Sequence, residues 1–273
     1  HFIERLPDKA VDDMGIPDMY IAFYDTMISY DNFLNTCHVI GVDFGLDNKQ
    51  NDRMEHMDNL LRRQSDAGYK PKDYMPGPVI SEPTLKFNFT KELYMDAIGR
   101  IKDYITAGDV YQVNLSQRIE THIDIPPYEL YKKLRSINPA PFSSYLAFDD
   151  VAIISSSPER FLKVNDRHVQ TRPIKGTRPR GGDIKTDEMM KQALLASQKD
   201  NAELTMIIDL ERNDLGRVCD YGSVKVTERK VLEAYPTVYH LVSTIEGDLY
   251  ERYDFIDLLK ATFPGGSITG APK

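Results

Sequence analysis

The sequence predicts an α+β protein rich in antiparallel strands, and three observations lead there. Runs of β-forming residues come in adjacent groups instead of alternating one for one with helices. Between them lie segments whose apolar residues recur at helical spacing. The composition, 41% hydrophobic and 28% charged with 16 Gly and 16 Pro in 273 residues, is that of a globular chain able to bury a substantial core.

Taken in order, residues 20–42 hold Tyr20-Ile-Ala-Phe-Tyr24, Met27-Ile-Ser-Tyr30 and Cys37-His-Val-Ile40, broken by Asp and Asn clusters. They predict short strands joined by turns. Met54, Met57, Leu60 and Leu61 predict an amphipathic helix over 50–66. Four prolines and two glycines make 68–83 the linker, dividing an N-terminal region, 1–83, from a main region, 84–273. Thr90 caps a predicted helix whose Leu93, Ala97, Ile98, Ile101 and Ile105 share a face until Gly108. Strict alternation over 110–119 predicts one strand, with Tyr111, Val113, Leu115, Gln117 and Ile119 on one side. Further strands are expected at 142–148, 151–155, 159–164 and 223–232, and helices near 127–136, 186–198, 201–213 and 253–262. Both ends read as cut: the chain opens on His1 and closes inside the turn-rich Gly265-Gly-Ser-Ile-Thr-Gly-Ala-Pro-Lys273.

A net charge of −8 argues against sequence-independent binding to nucleic acid, and the lack of any long apolar run argues against a membrane span. Cys37 and Cys219 cannot make a disulfide framework or a metal-type spacing, which suits a reducing, cytoplasmic setting.

Chemistry concentrates in a few places. In Thr171-Arg-Pro-Ile-Lys-Gly-Thr-Arg-Pro-Arg-Gly-Gly182, Lys175 sits among Arg172, Arg178 and Arg180. A lysine crowded by cations is a setting for a nucleophilic amine, and a solvated basic loop is the competing reading. Glu159, beside Phe161, is either a general acid or a strand-end carboxylate paired with Arg160. Glu203 shares an apolar helix face with Met206, Ile207 and Leu210, so it needs a metal ion or an ion pair with Arg212 or Arg217. Asp209, Glu211 and Asp214 read as structural salt bridges. His240, flanked by apolar residues, is a core histidine or a donor to substrate. Gly265 and Gly270 do not form a phosphate loop, although backbone N–H groups in such a turn can hold a carboxylate.

The ordered series Gly108-Asp-Val-Tyr-Gln-Val-Asn-Leu-Ser-Gln117, Ser157-Pro-Glu-Arg-Phe161, Arg172-Pro-Ile-Lys-Gly-Thr177, Asp209-Leu-Glu-Arg-Asn-Asp-Leu-Gly-Arg217, Tyr239-His-Leu-Val-Ser243 and Gly270-Ala-Pro-Lys273 resembles the chorismate-utilising enzymes. The resemblance runs from about residue 90 to the end, and Arg5-Leu-Pro7 to Asp25 is similar to the amidotransferase-linked members. It implies an α+β fold of two large packed antiparallel sheets with helices outside, here truncated at the C-terminus and at the N-terminus.

Within that family, the water-using branch has a lysine base where this chain has Gln112, and an amide cannot titrate. That points to the ammonia-using branch. Lys175, where anthranilate synthases typically have Ala, points further to the aminodeoxychorismate synthase large subunits, which serve p-aminobenzoate and folate synthesis. The resemblance then implies that Lys175 attacks chorismate at C2 while Glu159 protonates the departing C4 hydroxyl, and that ammonia displaces the lysine. Glu203 would hold Mg2+ in part; Gln112, Thr177, His240, Gly270, Ala271 and Lys273 would contact substrate. Neither cysteine lies in a Gly-x-Cys-x-Gly elbow, so ammonia would come from a glutamine amidotransferase partner. Family members continue well past Gly-Ala-Pro-Lys, with further magnesium ligands and an arginine for substrate, so the chain by itself is expected to be inactive. Anthranilate synthase component I and a non-catalytic chorismate-fold binding protein are the alternatives.

Overall fold

The computed structural model describes residues 12–17, 19–45, 49–66 and 84–273. They fall into two compact units, one holding the described residues up to Asp66 and the other those from Thr84 onward. The linker expected at 68–83 lies outside the described residues.

In the smaller unit, β1 (Thr26–Asp31) and β2 (Thr36–Gly41) form an antiparallel hairpin with Asp31 opposite Thr36. The Asp31 carboxylate accepts from the N–H groups of Phe33 and Leu34, at 2.8 and 2.9 Å, and so closes the turn. Helix α1 (Gln50–Asp66) follows. The strand expected at Tyr20–Tyr24 is absent: that run joins no ladder among the described residues and its side chains are exposed.

The larger unit contains, in order, β3 (Lys86–Phe87), α2 (Lys91–Ala107), β4 (Gln112–Val113), β5 (Ile119–Glu120), α3 (Pro127–Ile137), β6 (Phe142–Phe148), β7 (Val151–Ser157), β8 (Arg160–Asn165), β9 (His168–Arg172), β10 (Ile174–Pro179), α4 (Ile184–Ala196), α5 (Gln198–Gly216), β11 (Lys225–Ala234), β12 (Val238–Asp248), α6 (Phe255–Thr262), α7 (Gly266–Thr269) and β13 (Gly270–Ala271). Every strand pair is antiparallel, as the α+β class requires. Helix α2 starts and stops where expected: Thr90 Oγ1 accepts from the Leu93 N–H at 3.3 Å, and Gly108 ends it at φ 83°. Ser197 ends α4 and caps α5, its Oγ accepting from the Asp200 N–H at 3.3 Å, so two helices abut without a loop.

The centre is β12, where the sequence places His240 between apolar residues and no strand is expected. One edge takes β10 along its first half and β9 along its second, and the other edge takes β11. Its Leu241 and Ile245 are fully buried, packed in one cluster with Leu204, Ile208 and Leu215 of α5, Leu194 of α4 and Leu258 of α6. Each such side chain contributes about 1.5–3 kcal/mol by leaving water.

Two other expectations change. Residues 110–119 alternate but do not make one strand, because their partners are short: Gln112 and Val113 pair with β13, Ile119 pairs with Phe87 of β3, and between them Asn114 turns its side chain onto the carbonyls of Ser267 and Ile268. The segment around Lys175 is no loop either. It is β10, held by β12, and Pro173 alone separates it from β9. The Leu241→Ala variant is expected to lose about 3 kcal/mol of unfolding free energy in urea, because it empties the point where sheet and helices meet.

Candidate active site

The ladder between β10 and β12 carries a bulge at Gly176. Lys175 stands opposite Leu241, yet Thr177 stands opposite His240, one step out of register. Gly176 has φ 81°, and a Cβ there would lie 2.9 Å from both Asp200 Cβ and Leu194 Cδ1. Side chains alternate along a strand, so the slip sends Lys175 to the helix-covered face with Leu241, and Thr177 to the other face with His240.

On the helix side, Lys175 Nζ donates to the Ser267 carbonyl at 2.7 Å. The same oxygen accepts from Asn114 Nδ2 at 3.0 Å, and Asn114 Oδ1 accepts from Gln112 Nε2 at 3.1 Å. Gln112 Oε1 is buried and has no hydrogen-bond partner among the described residues. The pairing of β4 with β13 sets this arrangement, with Ala271 opposite Gln112 and Gly270 opposite Val113. Gly270 is at φ 112°, and a Cβ there would lie 2.2 Å from the Gln112 carbonyl oxygen, so no other residue fits.

Ser267 also borders a cleft of about 310 Å3 whose walls include Glu159, Phe161, Thr171, Glu211 and Phe263. Glu159 Oε1 accepts from the Ile174 N–H at 3.0 Å. The expected pairing of Glu159 with Arg160 is not formed, since Arg160 bonds the Gln170 carboxamide and lies over the Phe142 ring.

Several predicted residues are placed otherwise. The cation cluster expected around Lys175 is neutralised pairwise: Arg172 meets Glu228 and Glu233 at 3.1 and 2.8 Å, Arg178 meets Asp200 at 2.9 Å, and Arg180 meets Asp187 at 2.8 Å. Arg180 and the Tyr239 hydroxyl hold the Asp187 carboxyl well below the usual range. Thr177 and His240 do not line the cleft; Thr177 Oγ1 and His240 Nδ1 are 3.0 Å apart, and burial pushes the imidazole down, toward its neutral form. Lys273, expected at substrate, bonds Asp214 at 2.5 Å and the Thr262 carbonyl at 2.6 Å, which anchors the C-terminal segment to α5 and α6. The Gly270 N–H donates to the Gly266 carbonyl, so it is not available to a substrate carboxylate.

Glu203 is half-buried, and its nearest cation is Lys199 at 3.8 Å; Arg212 pairs with Asp209 and Arg217 bonds a carbonyl. Magnesium takes an octahedron of oxygen ligands. Among the described residues no three His, Cys, Asp or Glu side chains group to hold a metal, so Glu203 stands without other such ligands and the set here does not by itself fit the ion.

One buried carboxyl on the cleft wall was not singled out as a site residue. Glu211, read as a salt-bridge partner, has no cation on it: it is buried at 7% exposure and its Oε2 accepts from Thr171 Oγ1 at 2.9 Å. Burial pushes it up to about 8, with the charges of Glu159 and Asp214 adding and the Thr171 hydroxyl and Lys273 opposing. Its position on the Ile207–Leu210–Asp214 side of α5 was the only signal in the sequence.

A sheet-borne lysine and paired amides at a glycine turn thus meet at the Ser267 carbonyl, and Ser267 borders the cleft that holds Glu159. The chain matches the chorismate binding enzyme family over residues 1–273, and it belongs to that family. It is 38% identical over 273 residues to aminodeoxychorismate synthase component 1 of Bacillus subtilis (strain 168), covering 100% of this chain and 57% of that protein. It is also 38% identical over 274 residues to anthranilate synthase component 1 of Thermus thermophilus, with the same coverage. The crystal structure of anthranilate synthase component I from Streptococcus pneumoniae TIGR4 superposes with a TM-score of 0.82 at 29% identity, over 100% of this chain and 59% of that one. The chain thus spans a little over half the length of the curated relatives it matches.

The Gly176→Ala variant tests the bulge. It is expected to cost about 2 kcal/mol in urea unfolding, from the left-handed backbone and the clash with Asp200 and Leu194. An unchanged midpoint would show that the register slip tolerates a side chain.

Proposed function

We propose that the protein containing this chain aminates chorismate to 4-amino-4-deoxychorismate in the cytoplasm, using ammonia from a glutamine amidotransferase subunit. The observation that carries the reading is Lys175: its amine reaches the carbonyl that borders the cleft holding Glu159, and the neighbouring side chains are the non-titrating amides Gln112 and Asn114.

In this reading the Lys175 nitrogen, in its unprotonated form, bonds to C2 of the ring. Both ring double bonds shift, from C1=C2 and C5=C6 to C1=C6 and C4=C5, the C4–O bond breaks, and the departing hydroxyl takes the Glu159 proton and leaves as water. Ammonia bonds to C4, both double bonds return, the C2–N bond to Lys175 breaks, freeing the amine, and the new ammonium group at C4 returns a proton to Glu159. Gln112 cannot take a proton from water, which favours a nucleophile that needs no base; its unpartnered Oε1 is available to accept an N–H. Gly270 and Ala271 shape the turn that holds Gln112, and Lys273 keeps that turn in place. Thr177 and His240 brace the strand beneath Lys175 from the opposite face. Magnesium enters this proposal as an ion held in part by Glu203.

The second reading, anthranilate synthesis, is favoured by the equal identity to the Thermus thermophilus protein and by the Streptococcus pneumoniae structure. Product analysis separates the two. The full-length protein with chorismate, Mg2+ and ammonium is expected to form 4-amino-4-deoxychorismate, and direct release of fluorescent anthranilate would overturn the first reading. Lys175→Ala should lower turnover at least about 100-fold and abolish any covalent adduct seen by mass spectrometry, because the nucleophile is gone. Glu203→Gln should raise the magnesium concentration needed for half-maximal turnover by about tenfold or more.

A further inference from the structure

The cleft has two carboxyls, and the reaction described above uses only Glu159. Glu211 enters the same cleft from α5, where Thr171 Oγ1 donates to it. Among the described residues the neighbouring cations are engaged elsewhere: Lys273 with Asp214, Arg172, next to Thr171, with Glu228 and Glu233, and Arg160, on the cleft wall, with the Gln170 carboxamide. The groups facing Glu211 are therefore Thr171 from β9, Glu159 from the residue before β8, Asp214 from one turn along α5, and Lys273 from the C-terminal segment. An ionised Glu211 would place a second negative charge beside Glu159, between the apolar Phe161 and Phe263, where charges are weakly screened.

We propose that Glu211 is a positioning residue for the proton transfer: protonated, it adds no second negative charge to the cleft, so that Glu159 is the one carboxyl exchanging a proton there and an anionic substrate is not repelled. This rests on the reading of Glu159 as the acid. Burial places the loss of the Glu211 proton near pH 8, so the charge appears, and turnover falls, as pH rises through that value. The Thr171 hydroxyl favours the ionised form, so its removal moves the fall to higher pH.

The test is the pH dependence of kcat/KM for chorismate in the full-length protein, with free ammonia held constant at each pH. Measured against Glu211→Gln, in which Lys175 and Glu159 titrate alike, the unmodified protein should lose a further factor of about ten between about pH 7 and about pH 9, as the ionisation of Glu211 near 8 requires. Glu211→Gln, whose amide accepts from Thr171 but does not titrate, should lose that alkaline limb, and Thr171→Val should shift it upward. A purely structural role would lower the urea midpoint of Glu211→Gln and leave the limb in place. The proposal is overturned by an unmodified protein with no limb, or by the same limb in Glu211→Gln. If that variant does not fold, an unmoved limb in Thr171→Val overturns it. Glu159→Gln keeps the two ideas apart: retained turnover there removes the acid role of Glu159, whereas lost turnover with an unchanged limb in Glu211→Gln removes only the proposal made for Glu211.

Discussion

The site depends on the bulged ladder between β10 and β12. Gly176, held at positive φ with Asp200 and Leu194 against it, shifts the register by one residue between Lys175 and Thr177. A side-chain period of two makes that slip decisive, because it assigns neighbouring polar residues to opposite faces of one sheet. Lys175 goes to the face where α5, α7 and the glycine turn converge, and Thr177 joins His240 behind it. The strand that imposes this, β12, is the most deeply buried in the molecule among the described residues. Its Leu241 lies fully buried directly opposite Lys175.

Charge is arranged around the cleft with the same economy. The arginines near Lys175 are each matched by a carboxylate on a neighbouring strand or helix, which makes them braces between elements. Asp214 and Lys273 form a buried pair that ties the last residues of the chain to α5. Breaking such a pair leaves an uncompensated buried charge, so it holds the turn in place more firmly than it stabilises the fold. Glu211 is what remains when every neighbouring cation has a partner, a buried carboxyl best kept protonated.

The amides Gln112 and Asn114 belong to the same logic. Asn114 bonds two carbonyls of α7 and orients Gln112, and Lys175 shares one of those carbonyls. Residues far apart in the chain therefore meet at one backbone oxygen, that of Ser267. Such a hub places a lysine amine from β10, the amides Gln112 and Asn114 from one short segment, and a carboxyl-lined cleft side by side, although these three parts lie far apart in sequence.

Much of this was legible in the sequence alone. The antiparallel-rich α+β class, the capped helix from Thr90 to Gly108, and the family, through its six ordered motifs, all follow from local pattern, because caps, periodicity and motif order are short-range signals. What required the tertiary structure was everything set by a partner strand or a burial environment. The alternation over 110–119 could not say that its partner was only two residues long, and the Pro-rich run around Lys175 could not say that β12 would take it as a strand. Nor could residue identity tell Asp214, paired with Lys273, from Glu211, paired with no cation, three positions apart on one helix. Their different states come from what other segments bring to each, since a carboxyl's protonation depends on burial and neighbours that spacing along a helix does not specify.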